Sequence, residues 1–396
     1  MLFETAEIER RIEGFRRLLK DESVPCEVTV IHHLADVFYF SGTIQDGFII
    51  IGSEGDPLFA LKRNVDRAKK ETPLKSVEPL RRSGDLRDFL LRACGQPPRS
   101  VGMALDVMSV LEYEKIRRLL KGAEIVDVSS CIRKVRSKKS GEELELMRGA
   151  ARIGHWVYEK AREIIAPGMD EWQLSATLEY EARLKGNLGI IRVRNRRLEM
   201  YFGHILSGGE ASLPSYGDFP TGGAGVSPAF SQGSTSRKIG SNEVVSIDTM
   251  INNHGYLNDQ TRNFSLGKPP DILRRAFDLS LELHELFRRK ALPGTTGGGL
   301  YDEIMKRVSA TDLAPYFMGY GQNRVVFIGH GIGIEVDEVP FIARNQKTVI
   351  EAGMTVAFEP KFVVPGVGVV GIENTYLIND HGAVSMNISP EELVVL

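Results

Sequence analysis

The sequence is poor in the residues on which disulfide-rich proteins and thiolate metal sites depend. Its 396 residues include only three cysteines. Cys26, Cys94 and Cys131 lie far apart and form no CxxC pair, so neither a disulfide framework nor a thiolate zinc site is indicated. This sparse cysteine usage favours a reducing environment, and we expect a cytoplasmic protein.

The sequence also lacks long apolar runs and a strong net charge. No segment approaches the roughly 20 apolar residues that a membrane-spanning helix needs. The N-terminal stretch MLFETAEIERRIEGFRRLLK is charged and amphipathic, which is untypical of a signal peptide. A formal net charge of −2 gives no reason to expect a nucleic acid or an anionic membrane as a partner. We therefore expect neither a nucleic acid nor a membrane.

The composition is that of a globular protein, with 42% hydrophobic and 26% charged residues. A chain of this length favours two domains. Helix-like and strand-like patterns alternate over the first part, including a strand and turn at residues 36–42, which indicates a layered α/β fold. The polar, basic segment RKVRSKKSGEE at 133–143 marks a boundary. We predict domains over residues 1–132 and 133–396.

The second domain is organised around residues 244–267, VVSIDTMINNHGYLNDQTRNFSLG. β-Forming residues on either side of the turn-forming NNHG predict two adjacent strands, which carry Asp248 and Asp259. A buried carboxylate is costly unless it is paired, hydrogen-bonded or bound to a metal. We interpret both residues as metal ligands.

Other segments frame this pair of strands. Ser140 and Glu143 match a capping box, which predicts a helix running to Ile165. A strand is predicted over residues 190–201. The Gly-, Ser- and Pro-rich stretch 203–242 is long for a loop inside a domain, so it is a candidate to line the site.

Three further candidate ligands, His330, Glu359 and Glu373, lie on or near predicted strands. Four carboxylates and one imidazole carry too much negative charge to converge without cations. They suit two divalent ions, with Mn²⁺, Co²⁺, Fe²⁺ and Zn²⁺ all possible. Taken singly, each of these residues is more often a surface acid or a hydrogen-bonded histidine.

The motifs SIDTMINNHGYLNDQTRNFSLG, FIGHGIGIEVDEVP, TVAFEP and GIENTYLI, in this order, resemble the ligand blocks of the pita-bread metallopeptidases. VRSKKSGEELELMRGAA resembles the domain junction of that family, and DVFYFSG resembles a block of its creatinase-type N-terminal domain. The chain is identified as a member of the aminopeptidase P, prolidase and creatinase branch. The resemblance implies a creatinase-type α/β domain, a pita-bread α+β catalytic domain and a homodimer.

The resemblance also assigns roles to residues. Asp248 would bind one ion, Asp259 and Glu373 would bridge both, and His330 and Glu359 would hold the second. Thr261 and Arg262 match the positions that support the bridging Asp. Creatinase lacks the full set of five ligands, so their retention argues for a metal-dependent protein. The implied reaction is attack of a metal-bridging hydroxide on the amide carbonyl of a small peptide or amide, with Glu359 as the proton acceptor.

Four positions depart from the family. Ser215, Val326 and Asp337 stand where the family's peptidases carry histidines, and Gly371 stands in place of an arginine. Asp337 could donate a proton or bind a substrate ammonium group, whereas Ser215 could supply one hydrogen bond without charge. His204 and His254 lie near the site in sequence, and either could replace a lost histidine.

Three functions stay open on these residues. The first is a dinuclear metal-dependent hydrolase of Xaa-Pro peptides, with Glu359 assisted by Asp337 or Ser215. The second is a non-peptidase enzyme on the same fold, either a creatinase-like amidinohydrolase or a metal-dependent lyase. The third is a non-catalytic binding protein that has kept its metal ligands.

Overall fold

The structure is a computed structural model that describes residues 1–82, 84–120, 122–194 and 198–396. The chain divides into two compact units, Met1–Arg136 and Ser137–Leu396. The division falls at residue 136, a few residues beyond the predicted boundary at 132.

The first unit contains a six-stranded mixed sheet with helices between the strands. Its elements are α1 (Thr5–Asp21), β1 (Val28–Ile31), α2 (Leu34–Ser41), β2 (Gly47–Gly52), β3 (Leu58–Leu61), α3 (Val65–Glu71), β4 (Ser76–Pro79), α4 (Asp85–Cys94), β5 (Ser100–Met103), α5 (Val110–Leu119), β6 (Glu124–Asp127) and α6 (Ser129–Ser137). The strand order is β4-β3-β2-β1-β5-β6, with β1–β2 and β2–β3 antiparallel and the other pairs parallel.

The strand predicted at residues 36–42 is wrong, because this segment belongs to helix α2. Its apolar and aromatic residues favour a strand by local propensity, but almost all of them are buried, so tertiary packing decides the conformation. Asp36 lies in the first turn of the helix and accepts a hydrogen bond from Arg136 Nη1 at 2.6 Å. Gly42 ends the helix with a φ of 77°.

The second unit carries the predicted site. Its helices and strands are α7 (Gly141–Ile164), α8 (Glu171–Leu184), β7 (Gly203–Ser207), β8 (Val244–Asn253), β9 (Tyr256–Ser265), α9 (Asp271–Lys290), α10 (Gly297–Ser309), β10 (Phe327–Gly331), β11 (Glu338–Ala343), β12 (Thr355–Phe358), β13 (Lys361–Val364), β14 (Gly368–Gly371), β15 (Glu373–Asn379), β16 (Gly382–Ser385) and β17 (Leu393–Val395). Short 3₁₀ turns lie at Gly209–Ser212, Ala314–Tyr316 and Gly321–Asn323.

Nine of these strands form one sheet. Its main path is β11-β10-β12-β15-β9-β8-β7, with β16 paired to β15 and β17 paired to β9. Helices α7 and α8 pack with β7, β8 and β9 in one apolar core, and α9 and α10 contribute to a second core with β12 and β15. The remaining strands, β13 and β14, pair with each other as a separate ribbon.

Helix α7 begins as the sequence predicts. The Ser140 hydroxyl accepts a hydrogen bond from Glu143 N at 3.2 Å, and the Glu143 carboxylate accepts one from Ser140 N at 2.9 Å. The predicted capping box is confirmed. The strand predicted at 190–201 is not present in 190–194 or 198–201, and the rest of that range lies outside the described residues.

The predicted pair of strands is confirmed as the hairpin of β8 and β9. His254 and Gly255 form its two-residue turn with φ values of 51° and 97°, which are the positive angles that a tight hairpin needs. The register sets Asp248 opposite Thr261 and Met250 opposite Asp259. Both acids therefore lie on the same face of the sheet.

In the described part of the chain, no helix has the length and apolar character needed to cross a membrane.

The hairpin turn yields a stability prediction. Gly255→Ala should lower the free energy of unfolding by about 1–2 kcal/mol, because a side chain at a φ of 97° is strained. Urea denaturation of the full chain measures this change. Gly141→Ala is the matched control, since open space surrounds Gly141 at the start of α7. Equal stability of the two variants would contradict the assigned turn.

Candidate metal centre

Four neighbouring strands set side chains in one row across the sheet. His204 on β7 lies opposite Asp248 on β8, Asp248 lies opposite Thr261 on β9, and Thr261 lies opposite Glu373 on β15. Asp259 precedes Thr261 by two residues and so lies on the same face. The pairing order of the sheet thus brings together acids that are far apart in the sequence.

The remaining candidates reach the same place from β10 and β12. His330 lies on β10, and Glu359 directly follows β12, the strand that pairs with β10. All five predicted ligands line one cavity of about 300 Å³. Ligand atoms of Asp259, His330 and Glu373 lie within 4.8 Å of one another. The five residues converge as expected, and their binding of an ion stays a prediction.

Lys361, at the start of β13, lies inside this cluster. Its Nζ atom donates hydrogen bonds to Asp248 Oδ2 at 2.6 Å, Glu373 Oε2 at 2.8 Å and Glu359 Oε2 at 2.9 Å. The lysine is only 2% exposed. All three N–H donors of its ammonium group are therefore hydrogen-bonded to predicted metal ligands.

A single ammonium group cannot neutralise four carboxylates, of which three are buried and Asp248 is half-buried. Burial, followed by the nearby charges of Glu373 and Asp248, raises the pKa of Asp259 well above its usual range. Burial is also the largest cause that raises the pKa of Glu373 to about 8. Burial alone would raise the pKa of Asp248 as well, but the Lys361 ammonium holds it below its usual value. The cluster therefore keeps protons at neutral pH unless another cation is present.

Two observations show that part of the cluster fits a divalent ion. Asp259 Oδ1 is buried and has no hydrogen-bond partner among the described residues. His330 Nδ1 lies 2.6 Å from the Val336 carbonyl oxygen, which can only accept. The proton therefore sits on Nδ1, and Nε2 offers its lone pair, which is the tautomer that metal-binding histidines use. Asp259, His330 and Glu373 thus supply two carboxylates and an imidazole, a donor set suited to Mn²⁺, Fe²⁺, Co²⁺ or Zn²⁺.

Hydrogen bonds from β9 hold the neighbouring strand in place. Thr261 Oγ1 donates to Glu373 Oε2 at 2.9 Å. Arg262 is 1% exposed and donates to the Glu373 carbonyl oxygen at 2.9 Å, to Asn374 Oδ1 at 2.8 Å and to the Ser389 carbonyl oxygen at 2.9 Å. These contacts fix the backbone from which Glu373 projects.

The departing positions have different surroundings. Asp337 lines the cavity, and its Oδ1 accepts a hydrogen bond from Arg194 N at 3.1 Å. Ser215 is not among the residues that line the cavity, and its hydroxyl donates to Gln232 Oε1 at 2.6 Å. Gln232 does line the cavity, so Ser215 reaches the site only through this amide. Val326 is 53% exposed and also lies outside the lining.

Of the two histidines considered as replacements, only His204 lines the cavity. Its Nδ1 lies 3.1 Å from Thr221 Oγ1, and burial lowers its pKa to about 4. His204 is therefore neutral at physiological pH. His254 is exposed in the β8–β9 turn.

Sequence reasoning missed Lys361 and the apolar wall of the cavity. The signal for the lysine was present, because TVAFEPKFVV carries one cation inside an otherwise apolar run that follows Glu359. A buried lysine must be paired. The wall gave no such signal, since its residues are spread along the chain. It includes Met200, Tyr201, Phe219, Pro220, Met250 and Phe341.

Comparison with known families assigns both parts of the chain to described protein families. The family model of metallopeptidase family M24 matches residues 145–380, and the family model of the creatinase/prolidase N-terminal domain matches residues 11–138. Because the first match covers more than half of the chain, the protein belongs to metallopeptidase family M24. The predicted family and the predicted succession of a creatinase-type domain and a pita-bread catalytic domain are confirmed.

Relatives and solved structures agree with this assignment. The Xaa-Pro dipeptidase of Pyrococcus furiosus is 25% identical over 98% of this chain and 100% of its own. The Xaa-Pro dipeptidase from Bacillus anthracis superposes with a TM-score of 0.82 at 22% identity, over 98% of this chain and 100% of its own. The X-Pro aminopeptidase from Thermotoga maritima superposes with a TM-score of 0.78 at 21% identity, over 97% of this chain and 99% of its own. The two structural similarities show the fold alone.

A buried histidine behind the site yields a pH prediction. His284 Nε2 donates to the Ile372 carbonyl oxygen at 3.0 Å, and Nδ1 lies 2.8 Å from Tyr376 Oη. Burial lowers the pKa of His284 from 6.5 to about 4. The unfolded chain therefore binds more protons than the folded chain between these values, so stability falls as pH falls through this window. From pH 7 to pH 5 this histidine should account for a loss of about 2 kcal/mol.

The measurement is the free energy of unfolding at pH 7 and pH 5 for the wild type and His284→Gln. The variant should lose about 2 kcal/mol less than the wild type between the two pH values. His254→Gln serves as the control at an exposed histidine, and its change in the free energy of unfolding between pH 7 and pH 5 should equal that of the wild type. An unchanged pH dependence in His284→Gln would refute the buried, neutral histidine.

Proposed function

We propose that this protein is a metal-dependent hydrolase of small peptides, with Xaa-Pro dipeptides as the first substrate class to test. The observation that carries the proposal is the group of Asp259, His330 and Glu373 facing a cavity of about 300 Å³. Membership of metallopeptidase family M24 and the names of the Xaa-Pro dipeptidase relatives support it. A cavity of this size suits a ligand no larger than a short peptide.

Each residue has a proposed task. Asp259, His330 and Glu373 hold a divalent ion, which when bound would lower the pKa of water and polarise the scissile carbonyl. Glu359 lines the same cavity and accepts the proton released in the attack. Ser215 holds the Gln232 amide, so we assign it a positioning role. Mn, Co, Zn and Fe all stay possible, and the two-ion arrangement expected from the sequence stays a prediction.

The cavity walls support a substrate with an apolar body and a cationic end. Tyr201, Phe219 and Pro220 offer apolar surface that suits a proline ring. Asp337 offers a carboxylate in the same cavity, and we propose that it binds the free amino terminus of the dipeptide.

Turnover of a panel of Xaa-Pro dipeptides tests the main proposal. Protein stripped of metal should be inactive and should regain release of the N-terminal residue when Mn²⁺ or Co²⁺ is added. Asp259→Asn should lower kcat/KM by at least about a hundredfold, because it removes a charged metal ligand. Asp278→Asn, an exposed change on α9, should leave turnover unchanged. Folded, metal-loaded wild-type protein that releases no amino acid would refute the peptidase.

Replacement of Asp337 tests the proposed binding of the amino terminus. Asp337→Asn should raise KM for dipeptides by roughly tenfold and change kcat much less, since it weakens a charged hydrogen bond used in binding. N-acetylated dipeptides lack the ammonium group and should show no difference between the wild type and the variant. An equal effect on both substrates would contradict this role.

A second candidate function is cleavage of a C–N bond in a small non-peptide substrate. An enzyme of the same fold would carry out this cleavage either as a hydrolase or as a lyase. The observation that favours it is the loss of histidine at three positions, of which only Asp337 lines the cavity. A creatinase-like reaction would persist after complete removal of metal, which separates it from the peptidase.

We also propose a cytoplasmic homodimer. Family resemblance supports the dimer, and the sparse cysteine usage supports the location. Sedimentation analysis of the full chain tests the dimer.

A further inference from the structure

Lys361 provides a cation that belongs to the protein itself. Its Nζ atom lies 2.6–2.9 Å from one oxygen each of Asp248, Glu359 and Glu373. A cation surrounded by three carboxylate oxygens at this range occupies the kind of position that a metal ion takes among the same groups.

The contacts divide the five predicted ligands unequally. Asp248, the residue expected to serve one ion alone, is bound to Lys361. Asp259 Oδ1 has no hydrogen-bond partner among the described residues, and His330 Nε2 is not used by the Val336 carbonyl. Asp259 Oδ1 and His330 Nε2 are therefore not among the atoms that bind Lys361, and together with Glu373 they form a group whose ligand atoms lie within 4.8 Å of one another.

The backbone explains how a lysine fits here. β13 and β14 pair Lys361 with Gly371. A Cβ atom at residue 371 would lie 2.6 Å from the Pro360 carbonyl oxygen and 2.8 Å from Lys361 Cα. This ribbon therefore has no room for a side chain at 371, and glycine at this position lets the backbone of Lys361 approach closely.

We propose that the Lys361 ammonium group takes the place of one of the two metal ions, so that each chain binds a single divalent ion through Asp259, His330 and Glu373. A second ion held by Asp248 and Glu359 would share both of these ligands with Lys361 and would be repelled by its fixed positive charge, whereas the retained ion shares only Glu373 with the lysine. The inference rests on the proposed function only in taking the site to bind a divalent ion.

The decisive measurement is the number of ions bound to the wild-type protein. Metal-free protein is equilibrated with Mn²⁺, dialysed and analysed for manganese by mass spectrometry. We expect one ion per chain and the six-line electron paramagnetic resonance spectrum of isolated Mn²⁺. Two ions per chain with a coupled-pair spectrum would overturn the proposal, and so would a protein that binds none.

Variants of Lys361 test the cause. Lys361→Ala removes the ammonium group and should raise the count from one to two, whereas Lys361→Arg keeps the charge and should stay at one. A count of one ion per chain in Lys361→Ala would overturn the proposal that the lysine excludes a second ion. If Lys361→Ala fails to fold, as circular dichroism would show, the wild-type count and spectrum still decide.

Peptide turnover is scored separately from the count, so the two proposals can fail independently. One ion without turnover of any dipeptide would retain the role of Lys361 and refute the peptidase. Two ions per chain together with turnover would retain the peptidase and refute the role of Lys361.

Discussion

Mutual repulsion among buried carboxylates is the constraint on which the second unit depends. Asp248, Asp259, Glu359 and Glu373 line one cavity, and Asp259, Glu359 and Glu373 are buried, so solvent screens their charges poorly. The Lys361 ammonium offsets part of this repulsion. This arrangement requires a buried strand that places a lysine at the centre of the site. The pairing of that strand with glycine at 371 follows from the same requirement.

The sheet converts this electrostatic requirement into a fixed geometry. β8 and β9 pair along ten residues, so the tight turn at 254–255 determines which side chains of the two strands face the cavity. Arg262 then ties β9 to the backbone of β15, and His284 binds the Ile372 carbonyl from behind. These two contacts hold the backbone on either side of Glu373 without involving its charge, which helps the cluster to persist despite its repulsion.

Features set by neighbouring residues could be predicted from the sequence, and features set by distant contacts could not. The hairpin turn and the capping box at Ser140 depend on four or five adjacent residues, and both are present. Helix α2 contradicts its local propensity, because burial of nearly all its residues is a tertiary property. The convergence of the five ligands was expected from family resemblance, since the spacing along the chain leaves their distances open.

Lys361 shows where resemblance to a family stops being informative. The ligand motifs resemble those of the family at all five positions, and this resemblance alone predicts an ordinary pair of ions. The lysine is two residues beyond Glu359 and donates hydrogen bonds to three of the five matching residues, which is the basis of the proposed single ion. A metal ion can dissociate, whereas a side chain cannot, so part of the positive charge in this site is present as soon as the chain folds. The buried acids therefore depend less on metal supply than the same acids would without the lysine.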